Sequence, residues 1–148
     1  MSFDRFKKEI KEKIKFTKLE KNSDHVILKS IEKPSKIVPI LEDITEISLV
    51  GYGKSIEIFK QVGKPSNVVK KFDLNKFSGS HAIGHTRMAT ESAITTDGSH
   101  PYSTGEDECL VHNGSLSNHN NLRRKLKKNG SKFNSDNDTE VAAGYISD

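Results

Sequence analysis

Three places in the second half of the chain carry side chains suited to polar recognition. Arg87 lies in the stretch GHTRMAT (residues 84–90) among small residues, where a guanidinium can grip a carboxylate through two parallel N–H donors. An Arg that pairs with a neighbouring acid to hold the loop fits the residue type equally well. Asn113-Gly114 follows the short apolar run CLVH (residues 109–112), and an Asn amide beside a glycine N–H is a donor pair suited to a developing oxyanion. The same dipeptide is the strongest short signal for a type I′ hairpin turn, and on the dipeptide alone the turn prevails. Asp138 stands in NSDNDTE (residues 134–140) at an expected helix start, where a carboxylate is electrostatically favoured and can bind an ammonium group; a plain cap is the commoner role. Carboxylate grip, ammonium partner and oxyanion donors together describe a pocket for an α-amino acid with a reactive side-chain carbonyl. The combination is more specific than any of its members.

The elements that must position these groups can be read from period and punctuation. Phe3, Phe6, Ile10 and Ile14 recur at helical spacing between Lys and Glu, one apolar face of an amphipathic helix. After a turn at residues 21–24, residues 25–31 (HVILKSI) read as a strand, residues 34–41 as a helix opened by proline, and residues 44–52 as a second strand. This order suggests a small α/β layer. Residues 54–60 alternate like a further strand, and residues 65–72 read as a helix with Val68, Val69 and Phe72 facing inward. Residues 80–88 and 109–112 read as strands ending at the two polar turns. Ser117 or Asn118 caps a helix that runs to Lys128, with Leu122 and Leu126 on its buried side and Gly130 beyond its end. A brief strand at residues 132–134 precedes Asn137 and Glu140, which are spaced as a capping box for the last helix.

Composition narrows the classes. The chain has 148 residues, 32% hydrophobic and 30% charged, enough for one domain with a thin core. Its single cysteine cannot form an internal disulfide, and no apolar run approaches a membrane span. No leader opens the sequence, so a cytoplasmic protein is the expectation. The net charge is +4, but the basic excess falls in residues 1–78 and acids outnumber bases in residues 79–148. Lysines spread along helices without interleaved aromatics are a solvated surface rather than a nucleic-acid groove. The glycines of GYGK (residues 51–54) lack the full phosphate-loop spacing and read as a turn. Of the six histidines, His81, His85, His100, His112 and His119 have no Cys or Glu at ligand spacing, so no metal and no cofactor is expected. A triad of Ser115, His112 and Asp138 has no nucleophile-elbow context around the serine.

GHTRMAT, the SHP turn, LVHNGSLSNHNNLRRKL and NDTEVAA, four ordered motifs over roughly sixty residues, resemble the second half of the glutaminase domain of class II glutamine amidotransferases. This N-terminal-nucleophile family is found in glutamate synthase, glucosamine-phosphate synthase and amidophosphoribosyltransferase. In its finer form the sequence is similar to stand-alone amidotransferase subunits associated with glutamate synthase and N-methylglutamate synthase. The resemblance implies an α+β fold, part of an αββα sandwich, with residues 1–78 as an internal α/β segment and residues 79–148 as the glutamine-binding half. It implies that Arg87 binds the glutamine α-carboxylate, Asp138 the α-amino group, that Thr90 helps to line the pocket, and that Asn113 and Gly114 form the oxyanion hole. It also implies a synthase partner that receives the ammonia.

The family's nucleophile is an N-terminal cysteine whose own amine moves protons, whereas this chain opens Met-Ser-Phe-Asp. Cys109 lies mid-chain on an apolar run and reads as a small core residue, and Ser2 heads an amphipathic helix. The last helix has run only two or three turns when the sequence stops. The expectation is therefore an internal fragment of the family domain, inactive alone. Two classes share its pocket: a portion of a glutamine-hydrolysing enzyme, or a non-catalytic remnant that keeps a glutamine-binding half-site.

Overall fold

The computed structural model describes residues 1–87 and 93–148. They form two compact units, Met1–Leu49 and Val50–Asp148. In the first, α1 (Phe3–Lys11) is capped by Ser2, whose hydroxyl accepts from the Arg5 N–H at 3.3 Å, and its expected apolar face buries Phe6 and Ile10. Strands β1 (Phe16–Asn22) and β2 (His25–Ser30) pair as an antiparallel hairpin with Leu19 opposite Leu28. α2 (Pro34–Glu42) begins on a proline whose missing N–H costs nothing at a helix start. Ile37, Leu41 and Ile44 close the core against Phe6, Ile10 and Ile14.

Two strand expectations change here. β1 carries few apolar residues, so period alone left it unread; pairing with β2 makes it a strand. Residues 44–52 form no strand, because Ile44 is drawn into the helical core and Ile47 and Leu49 pack on it. The observed order is helix, hairpin, helix.

In the second unit, α3 (Pro65–Phe72) buries Phe72 completely, and Phe59 packs on Phe72 and Phe77 with ring centroids 5.1 Å apart in each pair. Val68 and Val69 are half-buried. α4 (His119–Lys128) buries Leu126 and packs on α5 (Asp138–Ser147), which buries Val141 and Ala143. The strands expected at residues 54–60, 109–112 and 132–134 are irregular, as is the one expected at residues 80–88 over its described residues 80–87, Met88 lying outside them. Alternation yields a strand only where a neighbouring strand offers its row of N–H and C=O groups. Here the pairing shrinks to single bridges, Tyr52 with Glu106 and Tyr102 with Leu110.

The GYGK stretch does converge backbone donors on an anion, but the anion is internal. The Asp107 carboxylate accepts from the N–H groups of Lys54 at 3.0 Å, Ser55 at 2.7 Å and Ile56 at 3.2 Å. These bonds lower its pKa. Gly53 is required beside it: its φ is 153°, and a Cβ there would fall 2.1 Å from Asp107 Oδ1.

Candidate functional site

The polar residues of the second unit gather around one buried imidazole. His100 is 8% exposed. Its ring stacks on His85 with centroids 4.1 Å apart and meets Tyr102 edge-on at 5.0 Å. Its Nε2 lies 3.0 Å from Thr139 Oγ1, and Thr139 Oγ1 donates to Asp138 Oδ1 at 3.4 Å. A hydroxyl has one proton. With that proton directed to the Asp138 carboxylate, Thr139 accepts from His100, which assigns the proton of the neutral ring to Nε2 and leaves Nδ1 as a bare acceptor. That Nδ1 is buried and has no hydrogen-bond partner, as is true of Nδ1 in His85 and His112.

Charge converges on this ring from two directions. Burial pushes the His100 pKa down to about 4, the neighbouring His85, Arg87 and Lys60 act in the same direction, and Asp138 opposes them. Arg87 and Asp138, far apart in sequence, therefore both lie within electrostatic reach of one residue. Arg87 is half-buried and its Nη1 donates to the Gly98 carbonyl at 3.1 Å. Lys60 is buried, donates to the Asp97 carbonyl at 3.2 Å and sits 4.4 Å above the Tyr102 ring. Burial lowers its pKa to about 8, against the opposing charges of Glu140 and Asp97. Burial also raises the pKa of Tyr102, whose hydroxyl lies 3.5 Å from Ser135 Oγ.

Asp138 is held by its own helix start. Asn137 caps α5, its Oδ1 accepting from Thr139 N at 2.8 Å. Glu140 does not complete the expected capping box. It is buried, and its carboxylate turns back to accept from Asn134 N, Ser135 N and Ser135 Oγ, each at 2.8 Å. The Asn137 N–H goes to Ser135 Oγ instead, at 3.2 Å. The Asp138 carboxylate in turn accepts from Leu116 N at 2.6 Å, which ties the segment after Asn113-Gly114 to the helix.

Asn113 and Gly114 are exposed. Neither has positive φ, so the type I′ turn, which requires positive φ at both central residues, is not formed. A Cβ at Gly114 would fall 2.8 Å from His112 Nε2, so this close approach depends on glycine. Thr90 lies outside the described residues. The structure thus brings Arg87 and Asp138 around His100 and links Asp138 by one hydrogen bond to the segment that carries Asn113 and Gly114. From the sequence, His100 stood only as a histidine without metal-ligand spacing and Glu140 only as a cap partner, and Thr139 was not singled out. The SHP motif was the available signal for His100, and nothing local marks the other two as partners of distant groups. Cys109 is half-buried, and burial raises its thiol pKa. Among the described residues no group of three or more His, Cys, Asp or Glu is placed to hold a metal, and no helix is long and apolar enough to cross a membrane.

The buried imidazole has a consequence for stability. Unfolded His100 protonates near pH 6.5 and folded His100 only at about 4, so between these values the unfolded state binds more protons. Stability should fall as pH drops from 6.5 to about 4 and take no further loss from this group below that. The loss should reach about 3 kcal/mol at most. Denaturant melts from pH 7.5 to 4 of the wild type and His100→Gln test this through their difference, which cancels the carboxylates. An identical pH dependence in the two proteins rules it out.

The guanidinium of Arg87 and the carboxylate of Asp138 both act on the buried imidazole of His100. Residues 74–147, half of the chain, match the family model described as a glutamine amidotransferase domain, and the chain belongs to that family. It is 62% identical over 101 residues to the glutamine amidotransferase-like protein GlxB of Rhizobium meliloti, covering 68% of this chain and 34% of that protein. It is 32% identical over 133 residues to a putative glutamine amidotransferase of Methanothermobacter thermautotrophicus, covering 84% of this chain and 44% of the relative. It is 41% identical over 107 residues to the glutamine–fructose-6-phosphate aminotransferase of Wigglesworthia glossinidia brevipalpis, covering 70% and 17%. The chain therefore spans less than half the length of each of these relatives. No solved structure matches it significantly.

Proposed function

We propose that this chain is the glutamine-binding part of a class II, N-terminal-nucleophile glutaminase domain, and that Val50–Asp148 is a portion of its αββα sandwich. The observation that carries this reading is the hydrogen-bonded chain from His100 through Thr139 to Asp138, with Arg87 in electrostatic reach of the same ring, within a segment that belongs to the amidotransferase family. Arg87 binds the α-carboxylate through its planar fork and Asp138 the α-ammonium, and with the side-chain amide as a third point of contact they select one enantiomer. The side-chain amide then extends toward Asn113 and Gly114.

In the complete reaction a nucleophile adds to the amide carbon. The carbonyl oxygen takes the negative charge and accepts from the Asn113 side-chain amide and the Gly114 N–H. The C–N bond breaks as the nitrogen is protonated, ammonia leaves for a synthase partner, and water releases glutamate from the acyl intermediate. Cys109 is unsuited to the attacking role, because a half-buried thiol with a raised pKa is a poor source of thiolate. These 148 residues accordingly bind glutamine without turning it over. The partner is a synthase of the kind served by glutamate synthase-type amidotransferase subunits.

Calorimetric titration of L-glutamine into the 148-residue protein, run beside an ammonia-release assay, tests both parts. Saturable binding of L-glutamine over D-glutamine with no ammonia release is the expected result. Absence of binding at millimolar glutamine overturns the reading. Ammonia release that is lost in Arg87→Ala but survives Cys109→Ser overturns the claim that the chain is inactive alone.

A further inference from the structure

α4 carries two consecutive arginines with different surroundings. Arg124 is exposed and bonds Asn121 one turn back on its own helix. Arg123 is half-buried and reaches across to the segment that precedes α5. Its Nη1 donates to the Ser135 carbonyl at 2.7 Å and its Nη2 to the Asn137 carbonyl at 2.9 Å. Both arms of the guanidinium fork are thereby fixed on the turn that delivers Asp138.

The plane of that fork is set by a stack beneath it. The Arg123 guanidinium lies over the Phe133 ring at 5.0 Å, a cation–π contact. Phe133 in turn lies against Gly144 of α5, where a Cβ would fall 2.9 Å from Phe133 Cε1. The absence of a side chain at Gly144 lets the ring seat on the helix. Helix, ring and guanidinium therefore form one column beside the turn. Asn137 is the cap of α5 and Asp138 its first residue, so a carbonyl held at Asn137 directly orients the peptide that enters Asp138.

We propose that Arg123 is a positioning residue for ligand binding: its two hydrogen bonds to Ser135 and Asn137 aim the Asp138 carboxylate at the ligand's ammonium group. The inference rests on the glutamine-binding reading of the site. It assigns to α4, whose sequence marks it only as a structural helix, control over the amine end of the ligand. Loss of the fork frees the turn, and the charge of Asp138 remains but its direction does not. Lysine cannot replace it, because a single ammonium does not hold two carbonyls in one plane.

Calorimetry on the 148-residue chain with L-glutamine and with its des-amino analogue glutaramate separates this role from general stabilisation. Arg123→Met and Arg123→Lys, measured well below their melting temperatures, should bind glutamine about tenfold more weakly or worse and glutaramate as the wild type does. Arg124→Met, on the same helix, should bind both ligands normally. Should Arg123→Met fail to fold, Arg123→Lys carries the test, since it keeps the positive charge and an aliphatic stem of similar length. Equal losses for both ligands, or an unchanged glutamine affinity in Arg123→Lys, overturn the inference and leave the glutamine reading standing. A wild-type chain that binds no glutamine overturns both.

Discussion

Arg87→Ala should reduce the affinity of this chain for L-glutamine by about thirtyfold or more, since truncating one partner of a desolvated charge pair costs about 2–5 kcal/mol. The wild-type guanidinium is anchored on the Gly98 carbonyl. This bond to a carbonyl helps to fix the direction in which the fork points. The variant loses both the charge and the fork, whereas Arg87→Lys keeps the charge alone and should fall between them. Stability should move little, within about 1 kcal/mol, because the residue is half-buried on an irregular segment. Titration calorimetry with a parallel melt separates the two readouts. An affinity within threefold of wild type would falsify the assignment of Arg87 to the ligand carboxylate.

Glu140→Ala should give the largest stability loss of any single substitution near the site, about 3–5 kcal/mol. The side chain is buried at 6% exposure and accepts three hydrogen bonds from Asn134 and Ser135. Its charge also supports that of Lys60, the first of the two groups opposing the burial that lowers the lysine pKa. Removing it strands two backbone donors and leaves the buried ammonium less compensated, a larger penalty than the lost contacts alone. Glu140→Gln keeps the shape and one acceptor and should lose less. Against a total stability of about 5–15 kcal/mol for a domain, the alanine variant should melt at markedly lower urea. A midpoint shift equivalent to less than about 1 kcal/mol would show that Lys60 and the 134–135 turn do not depend on this carboxylate.

The two residues behind these predictions differ in how much of them is legible in the sequence. Arg87 is marked by type and setting as the partner of an anion, but residue type leaves open whether that anion is a ligand or a neighbouring acid. Glu140 has the spacing of a capping box with Asn137, and the local rule assigns it the wrong partner. Ser135 Oγ already satisfies the Asn137 N–H, which frees the Glu140 carboxylate to turn toward Asn134 and Ser135. Local rules assign a partner by spacing and cannot register that a competitor arrives first. The same holds for GYGK, where the convergent N–H groups were visible as a possibility but the occupant, Asp107, comes from about fifty residues away.

Sequence by itself determined the features that depend on a single turn of chain. The prolines that open α2 and α3, the Asn137 cap of α5 and the apolar stripe of α1 all stand where spacing places them, because each depends on backbone geometry within four residues. Tertiary structure alone decided the rest. Strands need a partner row, and among the described residues only β1 and β2 have one, so alternating stretches elsewhere stay irregular. His100 becomes the centre of the site only because Arg87, Lys60, Asp138 and Thr139 are folded around it, and its suppressed pKa follows from that burial and those charges. Arg123 and Arg124 are equivalent in composition and adjacent in order. Their difference is the direction each faces on α4, which only the packing of α4 on α5 sets.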